Sequence, residues 1–139
     1  MFATFGVTRA RFGAGTKSSG LDVSGKKIPN TPAHTAALGT DLSQRLSSVI
    51  RLYGRAEVVF YGAFKYDDGN FAGQDAYSLT NFRFGARGSR VFVESWLRNA
   101  FDTKYVPVAF QYDPRLAASG FIGESGRPRT FGITVGVSF

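Results

Sequence analysis

The chain has no cysteine and only one histidine among its 139 residues. Without cysteine it has no disulfide, no thiolate metal site and no cysteine nucleophile. The single histidine, His34, stands at the start of a predicted strand, and no Gly-x-Ser-x-Gly motif is present that would indicate a serine hydrolase. The sequence therefore predicts no enzyme, no metal site and no cofactor.

Long apolar runs are also missing. The longest, residues 58–64, is broken by Gly62 and is far shorter than the roughly 20 residues that a membrane helix needs. The N-terminal residues MFATFG carry neither a basic region nor an apolar core of the kind found in secretory signal peptides. We expect no helical span and no export signal in this chain.

Acidic residues are fewer than basic ones, 10 against 17, which gives a formal net charge of +7. The basic residues are spread along the chain, and Lys26-Lys27 is the only adjacent pair. Nucleic-acid binding proteins instead concentrate basic residues in a patch or stripe. The sequence therefore predicts solvated basic residues and no nucleic-acid partner.

Two short motifs have simpler interpretations than ligand binding. Asp67-Asp68-Gly69-Asn70 could begin a calcium loop, but the acidic residue that such a loop needs further on is missing, so a turn is favoured. Gly13-Ala-Gly15 lacks the strand-to-helix context of a phosphate-binding loop.

What the chain does have is alternation of apolar and polar residues. At its end, Phe131, Ile133, Val135, Val137 and Phe139 alternate with small or polar residues, which predicts a strand with one apolar face. The same period predicts further strands at Ala3–Phe12, His34–Gln44, Ile50–Tyr61, Ala76–Gly88 and Arg90–Phe101. The strands are about ten residues long, close to the 9–11 residues with which a tilted strand crosses a bilayer.

The predicted connections alternate between long and short. Residues 13–33, 67–75 and 102–127 form the longer loops, and residues 45–49 and 87–90 the tight turns. In an up-and-down antiparallel sheet this places all long loops at one end, as in outer-membrane barrels. The predicted fold is therefore all-β, an antiparallel up-and-down transmembrane β-barrel segment.

A soluble β-barrel or sandwich that binds a small apolar ligand is the alternative. Its apolar strand faces would turn inward to form the core instead of facing lipid. Six strands are too few to close a bacterial membrane barrel, which begins at eight. We therefore expect the chain to be part of a larger sheet.

Four segments together resemble the C-terminal end of TonB-dependent outer-membrane receptors. They are GKKIPNTP at 25–32, YSLTNFR at 77–83, LRNAFDTKY at 97–105 and GRPRTFGITVGVSF at 126–139. Residues 99–105 and 128–139 are the most specific parts, and the order and spacing of all four segments also resemble the family.

This resemblance implies the last six strands of a 22-stranded barrel that surrounds an N-terminal plug. It implies TonB-dependent uptake of a scarce nutrient, such as an iron–siderophore complex, across the outer membrane of a Gram-negative cell. The plug, the TonB box and the signal peptide have no counterpart in these residues, so we expect the fragment to be inactive alone. The implied partners are outer-membrane lipid, the remaining strands and plug, TonB through the missing N-terminal part, and the barrel-assembly machinery.

The resemblance also gives the final strand a second role. In outer-membrane proteins a terminal aromatic residue, preceded by alternating apolar residues, forms a signal for the barrel-assembly machinery. The matching residues are Phe131, Ile133, Val135, Val137 and Phe139. An exposed strand edge with one apolar face can add to a partner sheet, which is a physical basis for such recognition. The simpler interpretation is that these residues only face lipid.

Charged residues on the polar strand faces are the candidates for a ligand path. If these faces line a lumen, Arg51, Arg55, Glu57, Arg83 and Arg98 lie within it. A basic lumen raises the local concentration of anions, such as acidic iron chelates. Aromatic residues near the predicted strand ends could form interface girdles, although strand propensity explains them equally well. They are Phe12, Tyr61, Phe64, Tyr66, Phe101 and Tyr105.

Overall fold

A computed structural model describes residues 1–113 and 120–138 of the chain. Within these ranges the chain is all β, with no helix. No helix among the described residues has the length and apolarity to span a membrane. The strands are β1 (Phe2–Val7), β2 (Lys17–Ser18), β3 (Leu21–Asp22), β4 (His34–Arg45), β5 (Arg51–Tyr61), β6 (Phe64–Lys65), β7 (Gly73–Gln74), β8 (Tyr77–Arg87), β9 (Val91–Arg98), β10 (Val108–Gln111), β11 (Phe121–Glu124) and β12 (Thr130–Val137).

The long strands form one antiparallel sheet, which we call the main sheet. Its order in the described residues is β1-β4-β5-β8-β9-β12, so each strand pairs with the next long strand along the chain. The connections 46–50 and 88–90 are tight, whereas 8–33, 62–76 and 99–129 are long. The predicted up-and-down order, with all long loops at one end, is confirmed.

Two strand ends differ from their predicted positions. β1 ends at Val7, not Phe12, because the chain leaves the regular ladder after the Thr8 amide donates to the Ala33 carbonyl. β9 ends at Arg98, because Asn99 has a left-handed φ of +47° that turns the chain out of the sheet.

The long loops are more ordered than their composition predicts. Each contains a small antiparallel hairpin within the described residues, formed by β2 with β3, β6 with β7, and β10 with β11. The buried apolar side chains Val23, Phe64 and Ala109 come one from each of these loops. The part of the chain that the structure describes therefore has its only closed apolar packing at the long-loop end.

The two faces of the main sheet differ sharply. Directly paired residues point to the same side, so the register assigns every strand residue to one of two faces. One face, here the polar face, carries the charged residues and several glycines. The other, the apolar face, carries the alternating residues of β12 and their neighbours. The apolar face has no covering layer within the described residues.

Candidate functional site

All five predicted ligand-path residues lie on the polar face. Arg51, Arg55 and Glu57 are at alternate positions of β5, and the register places Arg83 opposite Arg55. Arg98 lies two strands from β5, in β9, on the same side. The period-two alternation placed these side chains on one face, and the strands keep them there because they pair without a bulge along these residues.

The middle of the polar face is electrostatically balanced. The Arg55 guanidinium lies 2.8 Å from a Glu57 carboxylate oxygen and 3.3 Å from one of Asp41. Arg83 lies 3.4 Å from Glu94, whose carboxylate also accepts a 3.0 Å hydrogen bond from the Tyr53 hydroxyl. Asp41 and Glu94 were not predicted as site residues, although strand pairing puts both within reach of the predicted arginines.

Arg98 has an aromatic partner in place of a carboxylate. Its guanidinium carbon lies 5.1 Å from the centre of the Trp96 ring. Arg55 has a similar contact in addition to its carboxylates, 4.7 Å from the Phe2 ring. Contacts of this type stabilise a cation without a formal ion pair.

Positive charge accumulates instead at the short-turn end of the polar face. Arg45, Arg51 and Arg87 stand directly opposite one another on β4, β5 and β8. We call these three residues the arginine row. They line an open cleft of about 390 Å³ together with the turn residues 47–50. Arg51 was predicted as a site residue, whereas Arg45 and Arg87 were missed because only the register brings them beside it.

Aromatic rings on the polar face lie over glycines of the adjacent strand. Such pairs protect strand glycines, which have no side chain to pack. A Cβ added at any of these glycines would meet the ring opposite it. The pairs are Phe2 with Gly39, Tyr53 with Gly85, Phe92 with Gly136 and Trp96 with Gly132. The rings therefore lie close along the sheet above these glycines.

Hydrogen bonds join the first two long loops. The Asn70 side chain accepts from the Lys27 amide and donates to the Lys27 carbonyl, both at 2.9 Å. The Ser18 hydroxyl donates to the Asp68 carboxylate at 2.6 Å. Asp67 accepts hydrogen bonds from backbone amides of residues 71 and 72. Residues 67–70 thus form a turn, as predicted, with their polar groups bonded within the loops.

The third long loop is held to the second by Tyr66. Its hydroxyl donates to the Val106 carbonyl at 2.8 Å, and the Val106 amide donates to the Gln74 side chain at 2.8 Å. Burial raises the pKa of the Tyr66 phenol. The three long loops thus form one connected cap over their end of the sheet.

Asn99 organises the start of the third loop. It is 4% exposed, and its side chain donates to the carbonyls of Thr103 and Arg127 and accepts from the Thr103 amide. Asp102 accepts from the Arg129 amide and from the Lys104 ammonium, both at 2.8 Å. Both hydrogen bonds lower the pKa of Asp102, and the one from Lys104 has the larger effect.

Several predicted girdle aromatics have other surroundings. Tyr61 lies on the polar face, where it stacks on Tyr77, which in turn stacks on Tyr105 at 4.7 Å between ring centres. Phe64 is buried against the edge of Tyr66. These four predicted girdle residues, Tyr61, Phe64, Tyr66 and Tyr105, therefore pack at the long-loop end and do not line the apolar face. The girdle interpretation is wrong for them, because local packing in the loops governs their positions.

The apolar face is exposed along its whole width. Most of its large apolar residues are exposed, from 39% at Phe60 to 80% at Phe131, and Leu52, Val58 and Leu97 are half-buried. The predicted assembly-signal residues Phe131, Ile133, Val135 and Val137 lie on this face in β12, at one edge of the sheet. Phe139, the fifth residue of that signal, lies outside the described residues. Soluble monomers rarely expose an apolar surface of this extent.

The fold has a counterpart among solved structures, whereas no protein-family model matches the chain. The crystal structure of the ferric yersiniabactin uptake receptor FyuA from Yersinia pestis superposes with a TM-score of 0.74 and 20% sequence identity. The match covers 84% of this chain but 18% of the receptor chain, so the chain spans less than a fifth of that receptor. The predicted resemblance to a section of a TonB-dependent receptor is thereby confirmed at the level of the fold. The chain has the all-β, antiparallel fold of a segment of a receptor β-barrel.

Proposed function

We propose that the chain forms part of the wall of an outer-membrane receptor that takes up a scarce nutrient with energy relayed through TonB. The observation that carries this proposal is the exposed apolar face on a sheet whose order matches a receptor barrel. In the proposal this face contacts outer-membrane lipid, and the remaining strands of the receptor pair with β1 and β12. The nutrient class is a metal chelate such as an iron–siderophore complex.

Other partners follow from the same proposal. The polar face borders the plug, TonB acts through the N-terminal part of the receptor, and the barrel-assembly machinery recognises β12. The charged residues of the polar face then border the ligand path. The alternative of a soluble barrel with an apolar ligand requires a second layer over the apolar face, and the described residues supply none.

Lipid contact is tested by placing a charge on either face of the same strand. Val135→Arg puts a cation on the apolar face, whereas Thr134→Arg puts the same cation on the polar face one residue away. A cation facing lipid costs about 2–4 kcal/mol at the bilayer midplane. In a full-length receptor that contains these strands, we expect Val135→Arg to reduce the fraction that inserts into phosphatidylcholine vesicles, and Thr134→Arg to leave it unchanged. Equal insertion of both variants would contradict lipid contact.

The ligand path is tested in a full-length receptor that contains these strands. Arg51→Ala with Arg55→Ala removes two cations from the polar face. We expect slower uptake of an anionic iron chelate and unchanged uptake of a neutral one, since charge attraction raises local anion concentration. Unchanged uptake of the anionic chelate would count against this path.

A further inference from the structure

In the arginine row three like charges lie side by side on neighbouring strands of the polar face. Arg45 pairs directly with Arg51, and Arg51 pairs directly with Arg87. Paired residues of neighbouring strands have Cβ atoms about 5 Å apart, and like charges in that position destabilise a sheet. All three side chains are exposed and line a common cleft.

The arginines elsewhere on the polar face have a carboxylate or an aromatic ring as a partner. Arg55 and Arg83 have carboxylates within 3.4 Å, and Arg98 lies against an indole ring. Within residues 1–113 and 120–138, no carboxylate forms an ion pair with any member of the arginine row.

Arg87 is already positioned by its neighbours. Its guanidinium carbon lies 5.3 Å from the Phe92 ring centre and 6.0 Å from that of Tyr53. Such contacts use the flat side of the guanidinium and leave its N–H donors at the edge free. A fixed Arg87 beside Arg51 and Arg45 presents several donors towards the cleft.

We propose that the arginine row binds the carboxylates of an acidic polypeptide segment that lies against the polar face at its short-turn end. Guanidinium groups bind carboxylates through two parallel hydrogen bonds, and several of them on adjacent strands suit successive acidic side chains. The cleft opens on the face opposite the apolar one, so lipid does not supply the anion.

The source of this segment rests on the proposed function. The chain covers 18% of the receptor that it matches, so most of such a receptor lies outside these residues. A segment that enters the barrel from the short-turn end meets the arginine row first. The row then fixes that segment electrostatically, while the balanced middle of the face does not compete for it.

The test measures peptide binding to the chain folded in zwitterionic detergent micelles. The probes are hexa-aspartate, hexa-asparagine and inorganic phosphate. Binding of each probe is measured by titration calorimetry at low and at high salt. The row variant is Arg45→Gln/Arg51→Gln/Arg87→Gln. The matched control, Arg9→Gln/Arg127→Gln/Arg129→Gln, also removes three exposed cations, so both variants change the net charge from +7 to +4.

We expect hexa-aspartate to bind the wild-type chain more tightly than phosphate does, and hexa-asparagine not to bind. The row variant should lose about tenfold or more in affinity, as expected for the loss of charge-assisted hydrogen bonds, and the control variant should lose much less. Equal losses in both variants would show attraction by net charge alone and overturn the proposal. Phosphate binding at least as tight as hexa-aspartate would assign the row to a small anion and also overturn it.

Folding of each variant is followed by circular dichroism and by the emission of Trp96, which lies away from the row. If the triple variant does not fold, two other variants replace it: Arg51→Gln alone, and Arg45→Lys/Arg51→Lys/Arg87→Lys. The lysine variant keeps the positive charge but removes the guanidinium groups that form two parallel hydrogen bonds with a carboxylate. Wild-type affinity in both would overturn the proposal. Vesicle insertion tests the proposed function separately, because it does not depend on the row.

Discussion

The Tyr53 ring occupies the space above Gly85, the residue directly opposite it on the adjacent strand. A Cβ at position 85 would lie 2.6 Å from the ring and 2.7 Å from the Val93 carbonyl oxygen. The same tyrosine donates its hydroxyl to Glu94, which pairs with Gly85 from the other side. The small residue thus lets one ring cross a strand and reach a carboxylate two strands away.

This relationship predicts the effect of Gly85→Ala. The new methyl group meets a backbone oxygen as well as the ring, so neighbouring strands must move, and crowding of this kind costs about 1–3 kcal/mol. We expect a lower free energy of unfolding in urea, measured by circular dichroism in micelles. Gly54→Ala is the control, since its nearest contact would be an ordinary 3.4 Å from Phe84. Equal stability of the two variants would show that the close approach is unimportant.

Asn99 predicts a local effect at the long-loop end. Asn99→Gly accepts the left-handed φ but removes three side-chain hydrogen bonds, and the part-buried backbone groups of Thr103 and Arg127 lose these partners. A buried group that loses its partner costs about 1–3 kcal/mol. We expect faster amide exchange and faster proteolysis in residues 100–113. Asn30→Gly, which also has a positive φ but is bonded through its backbone amide, should change neither rate.

The hydrogen bond of the Tyr66 hydroxyl contributes to the stability of the contact between the second and third long loops. Tyr66→Phe removes the 2.8 Å hydrogen bond to the Val106 carbonyl and retains the ring against Phe64. We expect a loss of about 1 kcal/mol in the free energy of unfolding, the usual net value for one such bond. Tyr112→Phe is the matched control, because that side chain is 75% exposed. If Tyr112→Phe lowered the free energy of unfolding by more than Tyr66→Phe, the hydrogen bond to Val106 would not stabilise the loops.

Asp102 predicts a pH dependence. Its pKa is below the ordinary value of 3.8, because the charged form accepts hydrogen bonds from Lys104 and from the Arg129 amide. A carboxyl with a lowered folded pKa stabilises the fold above its unfolded pKa, and this stabilisation is lost as the pH falls through the folded value. The Arg129 amide resonance should therefore titrate below pH 3.8 in NMR spectra. In Asp102→Asn this titration should vanish, and a midpoint above 3.8 in the wild type would contradict the assignment.

The strands and their two faces follow from the amino-acid pattern without any knowledge of the pairing. Alternation of apolar and polar residues has the period of a strand, so it places Arg55, Arg83 and Val135 on their faces before any pairing is known. The alternation of long and short connections likewise determined the up-and-down order. Both are local properties of the chain.

Which residues meet depends instead on the register of the strands and on contacts between the loops. A shift of register by two residues keeps every face but changes every partner, so the sequence alone did not place Arg45 beside Arg51 or Tyr53 over Gly85. The same limit applies to the loops, where contacts between distant segments, such as Asn70 with Lys27, produce order that polar composition does not predict. The strand faces follow from a periodic local pattern, whereas charge balance and loop packing depend on distances between strands and loops that only folding sets.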